Sequence, residues 1–471
     1  MPSTFTTVNP ATGQTLRAYQ GADVDEVLSV LTSVTEAQPS WAATPVAERA
    51  EVIRAMGAQL RKQADELADL MTAEMGKPIG EARAEVEKSA TACDYYADHG
   101  PTALAPTEVD TGERRSWVAH EPLGVVLAVM PWNFPYWQVL RFAAPTLLAG
   151  NTAILKHSPN VTGSALAIER VLRDAGLPEN VFRSIVVAEE DVPAVSQALI
   201  EDDRIAAVSL TGSERAGSAV AATAGRAIKK SLLELGGSDP FVVLDDADLD
   251  LAVAAAVTSR FINGGQSCLA AKRFVVHRSV VSEFGRRFAE AVAELRVGDP
   301  TDPTTTIGPM ARADLVDALQ GQVRRSVAAG ATVLAGGARL DRRGAWFAPT
   351  VLADVTPDMP VMAEETFGPV AAVVAVADDD EAVHIANDTR YGLAASVWSA
   401  DVDRALSVGR RITSGALFVN AVVASDPRLP FGGTKRSGYG RELGEAGAIE
   451  FTNARTYVVG TGVLPSGPPT E

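Results

Sequence analysis

The chain holds only 2 cysteines and 5 histidines among its 471 residues. Two thiols, Cys93 and Cys268, exclude a disulfide framework and fit a reducing compartment, where a lone thiol stays free. His99, His120, His157, His277 and His384 show no metal-ligand spacing, so no zinc or iron site is expected. Positive charge is scarce too: 42 Lys and Arg against 59 Asp and Glu leave a net charge of -17. That balance argues against a nucleic-acid surface, while a local cationic pocket for an anionic substrate remains open. No uncharged apolar run reaches the roughly eighteen residues that a spanning helix requires. Residues 1–7 lack a basic segment followed by an apolar one, so neither membrane insertion nor secretion is expected, and the expected location is cytoplasmic. What is present, 46% hydrophobic and 21% charged residues, is the balance of a soluble globular protein. The length predicts two or three domains.

Residues 22–97 carry helical periodicity, with Val27, Val30, Leu31 and Val34 followed by apolar positions at three- and four-residue spacing through residues 47–75. Residues 123–130, Leu-Gly-Val-Val-Leu-Ala-Val-Met, are too short for a helix and rich in valine, which predicts a buried strand. Residues 152–155 before Lys156 and 205–210 before Thr211 predict two more, with helical segments such as 161–175 between them. Alternating strands and helices imply an α/β fold with parallel pairing and ligands at the carboxyl ends of the strands. A second alternating region runs from about residue 240 to 420, with strands at 240–244, 273–277 and 370–376 and a helix at 281–295. Between the regions, residues 234–238 (Glu-Leu-Gly-Gly-Ser) form a glycine turn suited to an interdomain hinge. The Pro- and Gly-rich tail, 463–471, is expected to be disordered.

Residues 263–268, Asn-Gly-Gly-Gln-Ser-Cys, isolate Cys268 among glycines and small polar groups. Glycine permits close backbone approach, and a thiol on such a loop is accessible to a reactant. A turn that ends in a small buried hydrophobe fits these six residues equally well.

Seven motifs in order decide between those readings. They are residues 131–135 (Pro-Trp-Asn-Phe-Pro), Leu155-Lys156, Thr211-Gly212-Ser213 with Gly217, 233–237 (Leu-Glu-Leu-Gly-Gly), 265–268 (Gly-Gln-Ser-Cys), 364–369 (Glu-Glu-Thr-Phe-Gly-Pro) and 430–433 (Pro-Phe-Gly-Gly). Together the chain resembles the aldehyde dehydrogenase superfamily over nearly its full length. The resemblance implies a Rossmann-like cofactor domain (1–102 and 122–234), an α/β catalytic domain (235–451) and a small β oligomerisation extension (103–121 and 452–462) that joins a homodimer or homotetramer. It implies Cys268 as the nucleophile that adds to an aldehyde carbonyl, and the Asn133 amide with the Cys268 N–H as donors to the resulting oxyanion. Glu234 is then the general base that activates water against the thioester; a salt bridge beside Lys229 and Lys230 is the plainer reading of the same residue. Implied cofactor contacts are Trp132, Lys156, Ser158, Pro159, Thr211, Gly212, Ser213, Gly217, Glu365 and Phe367. The segment from Thr211 to Gly217 presents backbone N–H groups to a pyrophosphate at a helix start. Lys156 and Glu365 hold the two riboses, and Phe367 packs beside the nicotinamide.

NAD-preferring relatives often carry a glutamate three residues after the lysine, and here Pro159 stands in its place. Without that repulsive carboxylate a 2′-phosphate is tolerated, so NADP is expected ahead of NAD, with Ser158 and His157 as donors. Arg141, eight residues beyond Asn133, resembles the arginine by which succinate-semialdehyde dehydrogenases hold the substrate's distal carboxylate. Ser425 resembles their second polar contact, and Trp137 lines the same tunnel. Arg141 neutralised by a neighbouring acid is the alternative. A further arginine of some relatives is replaced here by Ile262, and a second redox-active cysteine by Ala270. The expected reaction is oxidation of succinate semialdehyde, with other aldehydes, a coenzyme-A-acylating reductase and a non-catalytic scaffold as rivals.

Overall fold

Short valine-rich runs without charge become buried strands, because only a strand covered on both faces hides every side chain of such a run. Val125–Met130, Thr152–His157 and Ile205–Thr211 are such strands, and all three are largely solvent-free. The structure, a computed structural model, describes residues 3–462, so the tail 463–471 lies outside the described residues.

The first sheet has six strands in the order Gly438–Tyr439, Lys230–Glu234, Ile205–Thr211, Val125–Met130, Thr152–His157 and Phe182–Ile185. Its pairs are parallel except at Gly438–Tyr439, which runs antiparallel to Lys230–Glu234. From Val125–Met130 the chain proceeds outward through Thr152–His157 and Phe182–Ile185, then returns to build Ile205–Thr211 on the opposite side. The topological switch point thus lies between Val125–Met130 and Ile205–Thr211, the position where folds of this kind take ligands at the carboxyl ends of the strands. The residues that leave those two ends are Trp132 and Asn133 on one side, Gly212 and Ser213 on the other.

Residues 235–238 link this sheet to a second one of seven strands: Thr332–Ala335, Thr350–Ala353, Val370–Val376, Ala271–His277, Asp239–Val243, Ala394–Trp398 and Ala416–Val419. Only the pair Thr332–Ala335 with Thr350–Ala353 is antiparallel. The chain later returns to the first layer, where Ala448 and Phe451 join the core beneath Val126, Leu147 and Leu155. The helical periodicity of residues 22–97 resolves into four helices, Val24–Ala43, Val46–Lys62, Ala64–Met75 and Ile79–Ala103. Cys93 is fully buried on the last of them and serves as core. A separate three-stranded sheet joins Thr452–Val459, Arg115–Pro122 and Thr107–Glu108. An amino-terminal hairpin, Thr4–Asn9 with Gln14–Gln20, lacks a clean alternation of apolar and polar residues and was not legible in the sequence.

Candidate active site

Three consecutive positive φ angles, 54° at Asn263, 60° at Gly264 and 72° at Gly265, fold the loop before Cys268. Asn tolerates this region through its short polar side chain, and glycine enters it without a Cβ clash. At Gly265 a Cβ would lie 2.3 Å from the Gly368 carbonyl oxygen, so the loop rests directly on the segment 364–369. Arg260, wholly buried, ties the two together: its guanidinium donates to the carbonyls of Ala271, Gly265, Thr366 and Gly368. Glu81 accepts the Asn263 N–H at 2.7 Å and closes the loop from the other side.

Cys268 itself is half-buried and faces a cavity of about 230 Å³. Burial pushes its thiol up to about 11, against the opposing pull of Arg141 and Lys272 and with a further push from Glu234 and Asp239. The Cys268 carbonyl accepts from Lys272 Nζ at 3.0 Å and sits where a Cβ on Gly237 would collide at 2.7 Å. Asn133 reaches the same loop: its side-chain Nδ2 donates to the Gln266 carbonyl at 3.1 Å, and its Oδ1 faces the Gln138 amide. Its backbone carbonyl is fixed by Asn263 Nδ2 at 2.7 Å and Lys77 Nζ at 3.0 Å. The amide is therefore committed to a backbone carbonyl two residues before Cys268.

Glu234 ends the strand Lys230–Glu234, buried, with one side-chain oxygen lacking a hydrogen-bond partner. Burial raises its pKa; Glu442 adds to the rise, and Arg141 and Arg441 oppose it. Arg141 on the helix Trp137–Leu148 lines the cavity, yet its charge is already matched: Nε lies 2.6 Å from Glu442 Oε2, and Nη2 donates to Thr211 Oγ1 at 3.3 Å. Glu442 escapes sequence reasoning, since nothing in residues 438–446 marks one acid as buried. Trp137 and Ser425 both line the cavity as well, joined by Lys88, which donates to Ser425 Oγ at 2.8 Å. Lys88 sits on the inward row Glu81, Glu85, Lys88 of the long helix; that charged spacing is visible in the sequence, but by itself reads as a solvated face.

The other predicted residues lie at or just after the carboxyl ends of the strands Val125–Met130, Thr152–His157 and Ile205–Thr211, and on the segment 364–369. Lys156, one residue before the end of its strand, is buried, and its side chain forms no hydrogen bond or ion pair among the described residues; burial lowers its ammonium to about 8, with only Glu189 opposing. Ser213 caps the helix Glu214–Arg226, accepting from the Ala216 N–H at 3.3 Å, and the Gly212 N–H donates to the Glu234 carbonyl at 2.9 Å. Gly217 serves packing: a Cβ there would meet Leu235 at 2.5 Å. Glu365 accepts from the Gly237 N–H at 2.9 Å and from Lys272 at 3.2 Å, and Trp132 packs edge-to-face on Phe367 at 5.7 Å. Pro159 opens a short 3-10 turn after Ser158, whose hydroxyl donates to Asn160 at 2.7 Å. His157 does not meet its expectation as a phosphate donor. It is buried, with one ring nitrogen 3.0 Å from the Pro135 carbonyl and the other accepting the Ser158 N–H at 2.9 Å, so neither nitrogen is spare.

Comparison with known proteins agrees over the whole chain. The family model described as the Aldehyde dehydrogenase family matches residues 1–457. The chain is 47% identical over 449 residues to the succinate semialdehyde dehydrogenase [NAD(P)+] of Escherichia coli (strain K12), covering 95% of this chain and 96% of that one. It is 48% identical over 450 residues to a probable succinate-semialdehyde dehydrogenase [NADP(+)] of Synechocystis sp., covering 96% and 98%. The crystal structure of succinic semialdehyde dehydrogenase from Streptococcus pyogenes in complex with NADP+ superposes with a TM-score of 0.93 at 35% identity, covering 97% of this chain and 100% of the other. With that family model matching residues 1–457 and a relative 47% identical over 95% of the chain, the chain belongs to the aldehyde dehydrogenase family.

Proposed function

We propose that this enzyme oxidises succinate semialdehyde to succinate with NADP+, and with NAD+ less readily. The observation that carries the reading is Cys268 facing a 230 Å³ cavity whose wall holds Arg141, Lys88 and Ser425. The names of the relatives support the same substrate. In this reading the Cys268 sulfur adds to the aldehyde carbon, and the oxygen that gains charge is met by the Cys268 N–H and by Asn133 once its amide turns from the Gln266 carbonyl. A dinucleotide held at the switch point would supply the acceptor for the hydride that leaves the former aldehyde carbon, so that an acyl group remains on sulfur. Glu234, whose pKa burial raises, acts in its ionised form: it takes a proton from water as the water oxygen attacks the acyl carbon, and the acid leaves the sulfur.

The switch point fits such a cofactor on its own features. Lys156 is a buried ammonium in want of hydroxyl acceptors, Glu365 sits beside the nucleophile loop with Phe367, and the helix Glu214–Arg226 presents its amino terminus. Pro159 places no carboxylate where a 2′-phosphate would lie, which supports NADP, with the Ser158 hydroxyl as a donor after it leaves Asn160. We assign the cofactor to residues 1–102 and 122–234, the nucleophile to 235–451, and assembly into a homodimer or homotetramer to 103–121 and 452–462. Among the described residues no helix is long and apolar enough to cross a membrane, and two unpaired cysteines support a cytoplasmic setting.

One observation favours a second reading. The Arg141–Glu442 pair leaves that arginine neutralised, as a site for an uncharged aldehyde would. Turnover of succinate semialdehyde and of butanal, each with NADP+ and NAD+ and followed by reduced-cofactor absorbance, separates the two. We expect the acid with NADP+ to give the highest kcat/KM; equal or better use of butanal would reject the substrate assignment.

A further inference from the structure

Three cations line the cavity that holds Cys268: Lys77, Arg141 and Lys88. Two of them are neutralised inside the protein. Lys77 is buried against Glu85, and Arg141 against Glu442. Lys88 has no carboxylate partner within ion-pair distance among the described residues. The nearest acid of the facing loop, Asp426, is held by Arg428 at 2.7 Å. Lys88 is nonetheless drawn out of bulk water, with its Nζ 4.4 Å from the centroid of the Trp137 ring and 2.8 Å from Ser425 Oγ. A desolvated ammonium with one hydrogen bond and one aromatic face retains donors and an uncompensated charge, which a carboxylate would satisfy together. Because Ser425 accepts from Lys88, its own hydroxyl hydrogen is free to point the same way.

We propose that the Lys88 ammonium, held over Trp137 beside the Ser425 hydroxyl, binds the distal carboxylate of the substrate and sets the preference for short ω-carboxylated aldehydes. The proposal rests on the functional reading above and deepens it: Arg141 shapes and polarises the tunnel, while Lys88 carries the charge that is free to recognise an acid. A neutral aldehyde of the same length carries no charge for this ammonium to pair with and gains nothing from it.

The environment of Lys88 gives the test a second readout. Burial lowers this ammonium to about 8 and Arg141 pushes the same way, while Glu85 on its own helix, Asp426 on the facing loop and Cys268 oppose the shift. Ser425 and Trp137 contribute no charge. Free Lys88 therefore loses its proton around pH 8, within the assay range, and an acid substrate loses its anchor above it.

Succinate semialdehyde and butanal are assayed with NADP+ across pH 6.5–9.5 in the parent, Lys88→Gln and Lys88→Arg. In the parent, KM for the acid should rise as pH passes about 8 while KM for butanal does not follow. Lys88→Gln should lower the acid-to-butanal ratio of kcat/KM by roughly tenfold or more, mainly through KM, and erase that pH-dependent rise. Lys88→Arg should restore part of the ratio, which a purely structural role would not do. Turnover of butanal by each variant reports that it is folded. A parent that prefers the acid and a Lys88→Gln variant that keeps the preference would overturn the assignment to Lys88 alone. A parent without any preference for the acid would remove the functional reading and this proposal with it.

Discussion

As the proposed nucleophile, Cys268 has to be accessible to an aldehyde, yet it sits in surroundings that disfavour its thiolate. Burial holds the thiol at about 11, and Arg141 with Lys272 only partly offset the effect of desolvation, Glu234 and Asp239. The sign is that of any acid whose charged form is desolvated: the thiolate fraction is small at neutral pH and grows tenfold per unit below the pKa. Alkylation of the cofactor-free protein by iodoacetamide should therefore accelerate by about tenfold per pH unit from pH 7 to 9. Mass spectrometry should place the adduct on Cys268, because Cys93 is fully buried with a thiol pushed up to about 12. A rate that levels off below pH 8 would mean that the thiolate is already formed at rest. At this scale Cys268, Asn133 and Glu234 could be singled out from the sequence because each stands in a motif of fixed order. Glu442 and Lys88 could not, since a buried acid and a surface acid look alike until a partner such as Arg141 or Trp137 is brought from elsewhere in the chain.

Elements explain why the nucleophile loop keeps its shape. The loop leaves the helix Leu249–Phe261, turns through three positive φ angles and enters the strand Ala271–His277. Arg260 and the close approach of Gly265 to Gly368 weld it to the segment that carries Glu365 and Phe367. Gly265→Ala adds a Cβ both at a φ of 72° and 2.3 Å from a backbone oxygen, so neither torsion nor space allows it without a shift. The expected cost is about 1–3 kcal/mol of stability from the torsion alone. Differential scanning calorimetry should show a lower Tm, and aldehyde oxidation should fall far more than cofactor binding. A variant with parent Tm and parent kcat would show that the loop is not held as described. Strands such as Val370–Val376 were legible to the residue because continuous apolar runs bounded by turns have one reading. The strand Gly438–Tyr439 was not, because two residues beside a glycine loop gain their sheet only from Glu234, two hundred residues earlier.

For the whole molecule the open question is what covers the three-stranded sheet. Thr452–Val459 pairs with Arg115–Pro122 along its full length, and its other edge has no partner among the described residues. An eight-residue edge of free N–H and C=O groups is a template for another strand, and proteins seldom leave one bare. Its tip is apolar as well: Val458 is 56% and Val459 42% exposed, and Trp117 stacks on Tyr457 at 4.8 Å. A second copy of the chain meets both needs, since the same edge in each copy supplies the hydrogen bonds the other lacks. Light scattering should give a dimer or tetramer for the parent. Replacing Val458 and Val459 together by Glu should shift the mass toward the monomer without loss of the first sheet, whose core these side chains do not enter. The like charges would then face each other across the symmetric junction and oppose pairing at low salt more than at high salt. A variant with the parent mass at both salt concentrations would rule out this edge as the seam between subunits.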